Sequence, residues 1–184
     1  MKHYVPRVID AEIAAALKTS GALVVQGARA VGKTASSRQF SSSELRLDSS
    51  EPRAMLAREQ PVSALTGATP RLLDEWQFVP ELWNEVRHAV DERGESGQFI
   101  LSGSAIPDDD ALRHSGAGRF RRVMMRTMTF FETGQSSGLV SLNSLLAGEA
   151  IDIVESSTPF EEVVRRIIVG GWPGWRDADE ATAK

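Results

Sequence analysis

The sequence predicts an α/β fold in which a mostly parallel sheet is covered by helices on both faces. Short apolar runs of strand length alternate with stretches of helical periodicity, which is the order of elements in βαβ units. The apolar runs are continuous rather than alternating, as expected for strands that are buried on both sides. With 184 residues, the chain is long enough to form one domain, or two small ones, without disulfide staples.

The elements follow one another in a regular order along the chain. Five strands are predicted, over residues 22–26, 45–48, 71–74, 98–101 and 122–126. Four helices are predicted beside them, over residues 10–17, 33–40, 52–59 and 80–93. The helix over 80–93 has the clearest apolar period, and Gly94 is expected to end it. Two shorter helices, over 142–147 and 160–169, are predicted in the C-terminal tail.

Composition and charge exclude several classes of protein. Hydrophobic residues make up 41% of the chain and charged residues 25%, which is typical of a globular protein rather than a disordered one. The chain has no cysteine, so disulfides, cysteine-ligated zinc, iron–sulfur clusters and thiol nucleophiles are excluded. The net charge of −4 gives no general attraction to nucleic acid or anionic lipid. We expect a cytoplasmic protein, since neither a secretory signal nor a membrane-spanning segment is apparent.

A glycine-rich segment directly follows the first predicted strand. Residues 27–34 read GARAVGKT and match the pattern G-x-x-x-x-G-K-S/T. Such a loop turns its backbone N–H groups inward as a nest for phosphates, and the next helix adds the positive end of its dipole. Lys33 is expected to reach the β- and γ-phosphates, and the Thr34 hydroxyl to ligate Mg²⁺. The residues expected to contact the nucleotide are Gly27, Ala28, Arg29, Ala30, Val31, Gly32, Lys33, Thr34 and Ala35.

Two adjacent acids end the third predicted strand. Asp74 and Glu75 follow the apolar residues of PRLL, and a parallel sheet brings this position close to the phosphate loop. Asp74 is expected to hold Mg²⁺, through water, and Glu75 to orient or deprotonate the attacking water. The pair therefore favours hydrolysis over binding alone. The adjoining Trp76 and Gln77 either pack in the core or relay the nucleotide state.

Hydroxyl side chains follow the fourth predicted strand, and arginines surround the start of the fifth. Ser102 or Ser104 is placed to sense the γ-phosphate, unless the segment is an ordinary turn. The loop over 114–122 is rich in glycine and arginine, and Arg119 is the first choice for an arginine finger that acts on a neighbouring subunit. The competing fingers are Arg121, Arg122 and Arg126. A solvated basic loop, or a patch for nucleic-acid phosphates, is the alternative interpretation of these arginines.

Two other signals carry less weight. Residues 134–138 match the nucleophile-elbow pattern G-x-S-x-G, but all three histidines precede Ser136 and a hydrolase triad is therefore rejected. No Asn-Lys-x-Asp segment is present to read guanine, so adenine is favoured by elimination.

Taken in order, the segments GARAVGKT, PRLLDEWQ, FILSGSA and HSGAGRF resemble the AAA+ ATPases. They are more closely similar to a prokaryotic clade in which the ATPase core precedes a C-terminal domain of unknown function. The resemblance implies a P-loop NTPase three-layer sandwich whose five-stranded parallel sheet has the order 5-1-4-3-2. Residues 27–34 then form Walker A, and Asp74 with Glu75 forms Walker B. It further implies that Ser102 is sensor 1, that Arg119 is close to the finger position, and that residues 4–8 lie against the adenine.

The resemblance also implies a division of the chain. Residues 1–135 are expected to form the ATPase core, and residues 136–184 a short helical tail that leads to a missing lid and C-terminal domain. We expect the chain to be the N-terminal piece of a longer protein or the product of a degenerate gene.

The sequence supports a Mg²⁺-dependent ATPase that binds ATP and ADP and that drives or gates a partner domain. Self-association is expected if the arginine finger acts in trans. The sequence does not identify a protein or nucleic-acid partner. A P-loop kinase of a small molecule is one alternative. A nucleotide switch that does not hydrolyse, or a module associated with nucleic acid, is the other.

Overall fold

A computed structural model of the chain describes residues 3–104, 118–150, 156 and 158–175. The chain divides into two compact units, Met1–Arg126 and Thr127–Lys184. The division at residue 126 precedes the expected end of the core at residue 135.

The first unit contains a five-stranded parallel sheet. Its strands are β1 (Ala22–Gly27), β2 (Ser43–Arg46), β3 (Arg71–Asp74), β4 (Phe99–Ser102) and β5 (Phe120–Met125). The strand order is β2-β3-β4-β1-β5, and every neighbouring pair is parallel. This order is 5-1-4-3-2 read from the other edge, so the P-loop NTPase topology is confirmed.

Among the described residues of this unit, four α-helices accompany these strands. They are α1 (Asp10–Thr19), α2 (Lys33–Arg38), α3 (Pro52–Glu59) and α4 (Leu82–Arg93). Acidic residues lie in the first turn of α1 and a lysine in its last, which favours the helix dipole at both ends. Gly94 ends α4 in the left-handed conformation with φ of 66°, as the sequence predicts. Short 3₁₀ helices over Pro61–Leu65 and Trp76–Phe78 were not predicted.

The interior strands β3 and β4 are buried at every position, which explains their continuous apolar runs. Phe99, Ile100 and Leu101 have no exposed surface. The core on one side of the sheet also contains two tryptophans that follow β3 in the chain. The ring centroids of Trp76 and Trp83 lie 5.6 Å apart. The Trp83 ring also stacks on Phe120 at 4.1 Å, so this layer ties α4 to β5.

The register of the strands brings their carboxyl ends together. Asp74, the last residue of β3, pairs with Ser102, the last residue of β4. Ser102 in turn pairs with Val25 of β1, which ends at Gly27 and passes directly into the glycine-rich loop. The sheet therefore delivers the loop, an acid and a hydroxyl to one edge, which is where open α/β sheets bind ligands.

The described residues of the second unit include the helices α5 (Leu142–Leu146) and α6 (Phe160–Val169) and a 3₁₀ turn over Pro173–Trp175. Both predicted tail helices are present, and α5 ends one residue early. Arg165 and Arg166 bind the carboxylate of Glu162 and lower its pKa to about 2. Across the described residues of both units, no helix is long and apolar enough to span a membrane.

Candidate functional site

The glycine-rich loop joins β1 to α2 through a series of unusual backbone conformations. Gly27, Ala30 and Gly32 have φ angles of 150°, 61° and 106°. A Cβ atom at Gly27 would lie 2.4 Å from the Met125 carbonyl oxygen, so only glycine fits where β1 passes β5. Ala30 adopts a left-handed conformation that costs free energy for a residue with a Cβ, and such strain is concentrated at ligand-binding turns. The loop therefore has the shape of a backbone nest for an anion.

Lys33 lies at the start of α2 with its ammonium group folded back into this loop. Its Nζ donates to the carbonyl oxygens of Gly27 and Ala28, at 3.0 and 2.9 Å, and to Ser104 Oγ at 3.0 Å. The side chain is buried, and burial lowers the pKa of Lys33, while the carboxylates of Glu75 and Asp74 oppose that shift. A buried cation held only by neutral oxygens is well suited to exchange them for phosphate oxygens.

An oxygen cluster lies beside the loop. Thr34 Oγ1 donates to both carboxylate oxygens of Asp74, at 2.9 and 3.1 Å. The fully buried Ser102 hydroxyl donates a short hydrogen bond to Asp74 Oδ1. Mg²⁺ prefers oxygen ligands and is commonly held by one or two carboxylates together with substrate phosphates. The hydroxyl of Thr34 and the carboxylate of Asp74 fit that requirement, since they already converge next to the phosphate loop.

Glu75 follows Asp74 in the left-handed conformation, with φ of 56°. This turn gives adjacent acids different directions: Asp74 is buried against Thr34 and Ser102, whereas Glu75 is half-buried. Its Oε2 accepts a hydrogen bond of 2.5 Å from Gln77 Nε2. The two predicted acids are thus brought to the same site with different environments.

The N-terminal segment is attached to the phosphate loop, which sequence reasoning did not derive. The Arg7 guanidinium is buried and donates to the carbonyl oxygens of Val31 in the loop, at 3.0 Å, and of Arg126 after β5, at 2.8 Å. The Tyr4 hydroxyl donates to the Asp10 carboxylate at 2.7 Å and shares a hydrogen bond of 2.9 Å with Ser36 of α2. The only signal in the sequence is the resemblance to AAA+ ATPases, which implies that residues 4–8 lie against the adenine.

These contacts predict an unusual titration of Tyr4, the single tyrosine of the chain. Burial raises the pKa of Tyr4 from 10.0 to about 12, helped by the Asp10 carboxylate and opposed by the Ser36 hydrogen bond. Tyrosinate absorbance should therefore reach its midpoint near pH 12 in the native chain and near pH ~10 in denaturant. The folded chain keeps this proton longer than the unfolded chain, so stability should decrease as the pH rises from about 10 to about 12. A native midpoint near the denatured one would contradict this environment.

Arg119 lies away from these residues. It directly precedes β5, and its carbonyl oxygen accepts from the backbone N–H of Ala22, at the end of the sheet opposite the phosphate loop. Its Nε donates to Asp91 Oδ1 at 2.7 Å, and this ion pair lowers the pKa of Asp91. The structure therefore does not bring Arg119 together with the other predicted site residues of the same chain.

The remaining predicted arginines are spread along β5 and just beyond it. Arg121, Arg122 and Arg126 are all exposed, and the Arg122 guanidinium also lies over the Trp83 ring at 5.4 Å. The first part of the predicted arginine loop, residues 114–117, lies outside the described residues.

The family model described as an AAA domain matches residues 19–134, which include every residue predicted to contact the phosphates or the metal or to act in catalysis, but not residues 4–8. Two uncharacterized proteins, from Mycobacterium bovis and Mycobacterium tuberculosis, are each 31% identical to the chain over 131 residues. Each match covers 69% of this chain and 30% of the relative, so the matched region is less than a third of either relative's length.

Proposed function

Because this chain belongs to the AAA domain family, and thus carries a P-loop nucleotide-binding module, we propose that it is a Mg²⁺-dependent ATPase of the cytoplasm. We further propose that its hydrolysis cycle drives or gates a partner domain. The observation that carries this proposal is the contact of Thr34 Oγ1 with the Asp74 carboxylate, at 2.9 Å, beside the loop that holds Lys33. The side chains proposed to bind Mg²⁺ and those proposed to bind the phosphates of ATP thereby lie at one edge of the sheet.

Binding is expected to rearrange Lys33 first. Its ammonium group exchanges the carbonyl oxygens of Gly27 and Ala28 for oxygens of the β- and γ-phosphates, where charge-assisted hydrogen bonds are stronger. The N–H groups of residues 28–34 are expected to hold the phosphates along the loop. The residues that would hold the metal are Thr34, directly, and Asp74, through water. Mg²⁺ held by these residues would neutralise the charge that develops on the phosphate oxygens.

Hydrolysis requires a water molecule in line with the γ-phosphorus and the leaving oxygen, and a base that accepts a proton from that water. Glu75 is proposed to accept a proton from a water molecule as the water oxygen bonds to the γ-phosphorus. The bond from that phosphorus to the β–γ bridging oxygen breaks, so the products are ADP and phosphate. Ser104, which contacts Lys33 Nζ at 3.0 Å, and Ser102, which contacts Asp74, are proposed to report the γ-phosphate to the sheet.

The base is proposed to be adenine, and residues 4–8 its neighbours. Tyr4 and Arg7 support this placement, since both are bonded to the phosphate loop or to the helix after it. ATP and GTP binding can be compared directly with the purified chain. Binding that prefers GTP would contradict the assignment.

The metal dependence of binding tests the proposal and separates it from its alternatives. ATP binding is expected to weaken when a chelator removes Mg²⁺, and phosphate is expected to appear without any added acceptor molecule. Phosphate transfer that requires a small-molecule acceptor would instead indicate a P-loop kinase. Retention of intact ATP would indicate a nucleotide switch, and DNA affinity that falls steeply with salt would indicate a nucleic-acid module.

Arg119 is proposed to act on a second copy of the chain. Its position at the far end of its own sheet, together with exposure of 44% of its side chain, supports a role in trans. We expect the ATPase rate per mole of protein to increase with protein concentration in the wild type and to be independent of concentration in Arg119→Ala. The exposed Arg53→Ala variant is the matched control and should behave like the wild type. A concentration-dependent rate that survives in Arg119→Ala would assign the finger to another arginine.

A further inference from the structure

Gln77 lies between the proposed base and the loop that follows β4. Its Nε2 donates to Glu75 Oε2 at 2.5 Å. A carboxylate only accepts hydrogen bonds, so this contact fixes the orientation of the amide and directs Oε1 the other way. Oε1 is buried and has no hydrogen-bond partner among the described residues. The amide nitrogen of Gln77 therefore has a hydrogen-bond partner, whereas its oxygen is buried without one in the part of the chain that the structure describes.

The free acceptor faces Gly103. A Cβ atom at this glycine would lie 2.2 Å from Gln77 Oε1 and 3.2 Å from Trp76 Cδ1, so the side chain is packed tightly against the backbone of the loop. The same segment begins at Ser102, the last residue of β4, which binds Asp74, and it supplies the Ser104 hydroxyl to Lys33 Nζ at 3.0 Å. Gln77 therefore contacts Glu75 on one side and, on the other, a loop whose two serines contact the proposed phosphate and metal ligands.

Backbone strain at Glu75 supports a conformational role for this contact. Glu75 is one of two non-glycine residues among those described that have a positive φ, the other being Ala30 in the phosphate loop. Such a conformation persists only where surrounding contacts fix it, and the Gln77 hydrogen bond is one of those contacts. A buried amide oxygen without a partner is also unfavourable, so a second arrangement that gave it a donor would be stabilised by that hydrogen bond.

We propose that Gln77 is a positioning residue for Glu75. In the chain without nucleotide, its amide holds the carboxylate in the observed direction. When phosphates draw Lys33 away from Ser104, the loop at Gly103 shifts, and Gln77 moves with it and reorients Glu75 toward the attacking water. This inference rests on the proposed ATPase function, and its test is chosen so that the two can fail separately.

A double-mutant cycle gives the kinetic test. Gln77→Ala is expected to lower kcat about tenfold, the size of effect produced by modest misplacement of a reacting group, with KM and ATP affinity nearly unchanged. In a Glu75→Gln background the same change should have no further effect, because the group it positions is already disabled. Gln60→Ala, at an exposed glutamine, is the matched control and should leave kcat unchanged. An equal decrease in both backgrounds would assign Gln77 a merely structural role and overturn the proposal.

A second variant acts on Gln77 from the loop side. Gly103→Ala places a methyl group against Gln77 Oε1, and the amide can yield because it is the end of a flexible side chain. We expect a decrease in kcat similar to that of Gln77→Ala, again with ATP affinity retained. Gly174→Ala is the control, since a Cβ atom there meets nothing within 4 Å. Gly103→Ala with wild-type kcat would contradict the coupling between loop and base.

Nuclear magnetic resonance tests the contact without relying on hydrolysis. The side-chain amide signals of Gln77 are identified by their loss in Gln77→Ala. They are expected to shift in Glu75→Ala, and to shift in the wild type when Mg²⁺ and a non-hydrolysable ATP analogue are added. Signals that respond to neither change would overturn the inference. Absence of hydrolysis with both shifts present would count only against the ATPase function.

Discussion

Replacing Lys33 with alanine is expected to weaken ATP binding about 100-fold, since a lost charge-assisted contact costs about 3 kcal/mol and about 1.4 kcal/mol corresponds to a tenfold change. Lys33 is the only buried lysine among the described residues, and its ammonium group lies inside the phosphate loop, 3.0 Å from Gly27 O. The measurement is a calorimetric or fluorescence titration with Mg²⁺ and ATP.

Two further variants isolate this effect from folding. Lys33→Met keeps most of the buried volume and should show the same loss, so failure of the alanine variant to fold would not obscure the result. Lys18→Ala removes an exposed lysine on α1 and should bind ATP like the wild type. Wild-type affinity in both Lys33 variants would rule out the glycine-rich loop as the phosphate site.

Replacing Glu75 with glutamine is expected to lower the hydrolysis rate by about 100- to 10,000-fold, the usual contribution of a general base. The amide has nearly the same size as the carboxylate but cannot accept the proton of the attacking water. ATP affinity should change little, because Lys33 and the loop backbone provide the phosphate contacts. Single-turnover phosphate release measures the chemical step directly.

The exposed Glu59→Gln variant at the end of α3 is the control and should hydrolyse at the wild-type rate. A Glu75→Gln variant that hydrolyses at the wild-type rate would remove Glu75 from the role of base. Loss of ATP binding in the same variant would instead indicate that Glu75 holds the metal or shapes the loop.

The sequence predicts the central part of the sheet well because burial there leaves a clear pattern. All four residues of β3 and all four of β4 are buried. For this reason β3 agrees with its predicted bounds, and β4 is displaced by only one residue at each end. The edge strands are displaced: β2 begins at Ser43 rather than residue 45, and β5 at Phe120 rather than residue 122. Only Leu45 is fully buried in β2, so apolar spacing alone could not locate its start.

The apolar period also predicts a start for α4 that is two residues too early, at residue 80 rather than Leu82. Pro80 and Glu81 form the turn that enters the helix, and a proline is compatible with either position. Its end at Arg93 was predicted correctly because Gly94 is a strong local signal. Strand order, by contrast, is not encoded in local periodicity and was obtained only from the resemblance to AAA+ proteins.

Whether a contact within the site could be predicted from the sequence depended on how close together in the chain its residues lie. A contiguous motif places Gly27 to Thr34, and a strand end places Asp74, so their convergence follows from parallel topology. The bond from Arg7 to the Arg126 carbonyl joins residues at opposite ends of the first unit, and no local pattern specifies it. The amide of Gln77 is close to Glu75 in sequence, but its packing on Gly103 depends on how β3 and β4 pair.

Phosphate release from ATP by the wild-type chain, with bound nucleotide counted in the same sample, tests the central claim most directly. The proposed function predicts several molecules of phosphate per molecule of protein in the presence of Mg²⁺, and none after a chelator is added. If the protein is saturated with bound ATP but releases no phosphate at any protein concentration, hydrolysis is contradicted. A nucleotide switch would then remain as the function of this site.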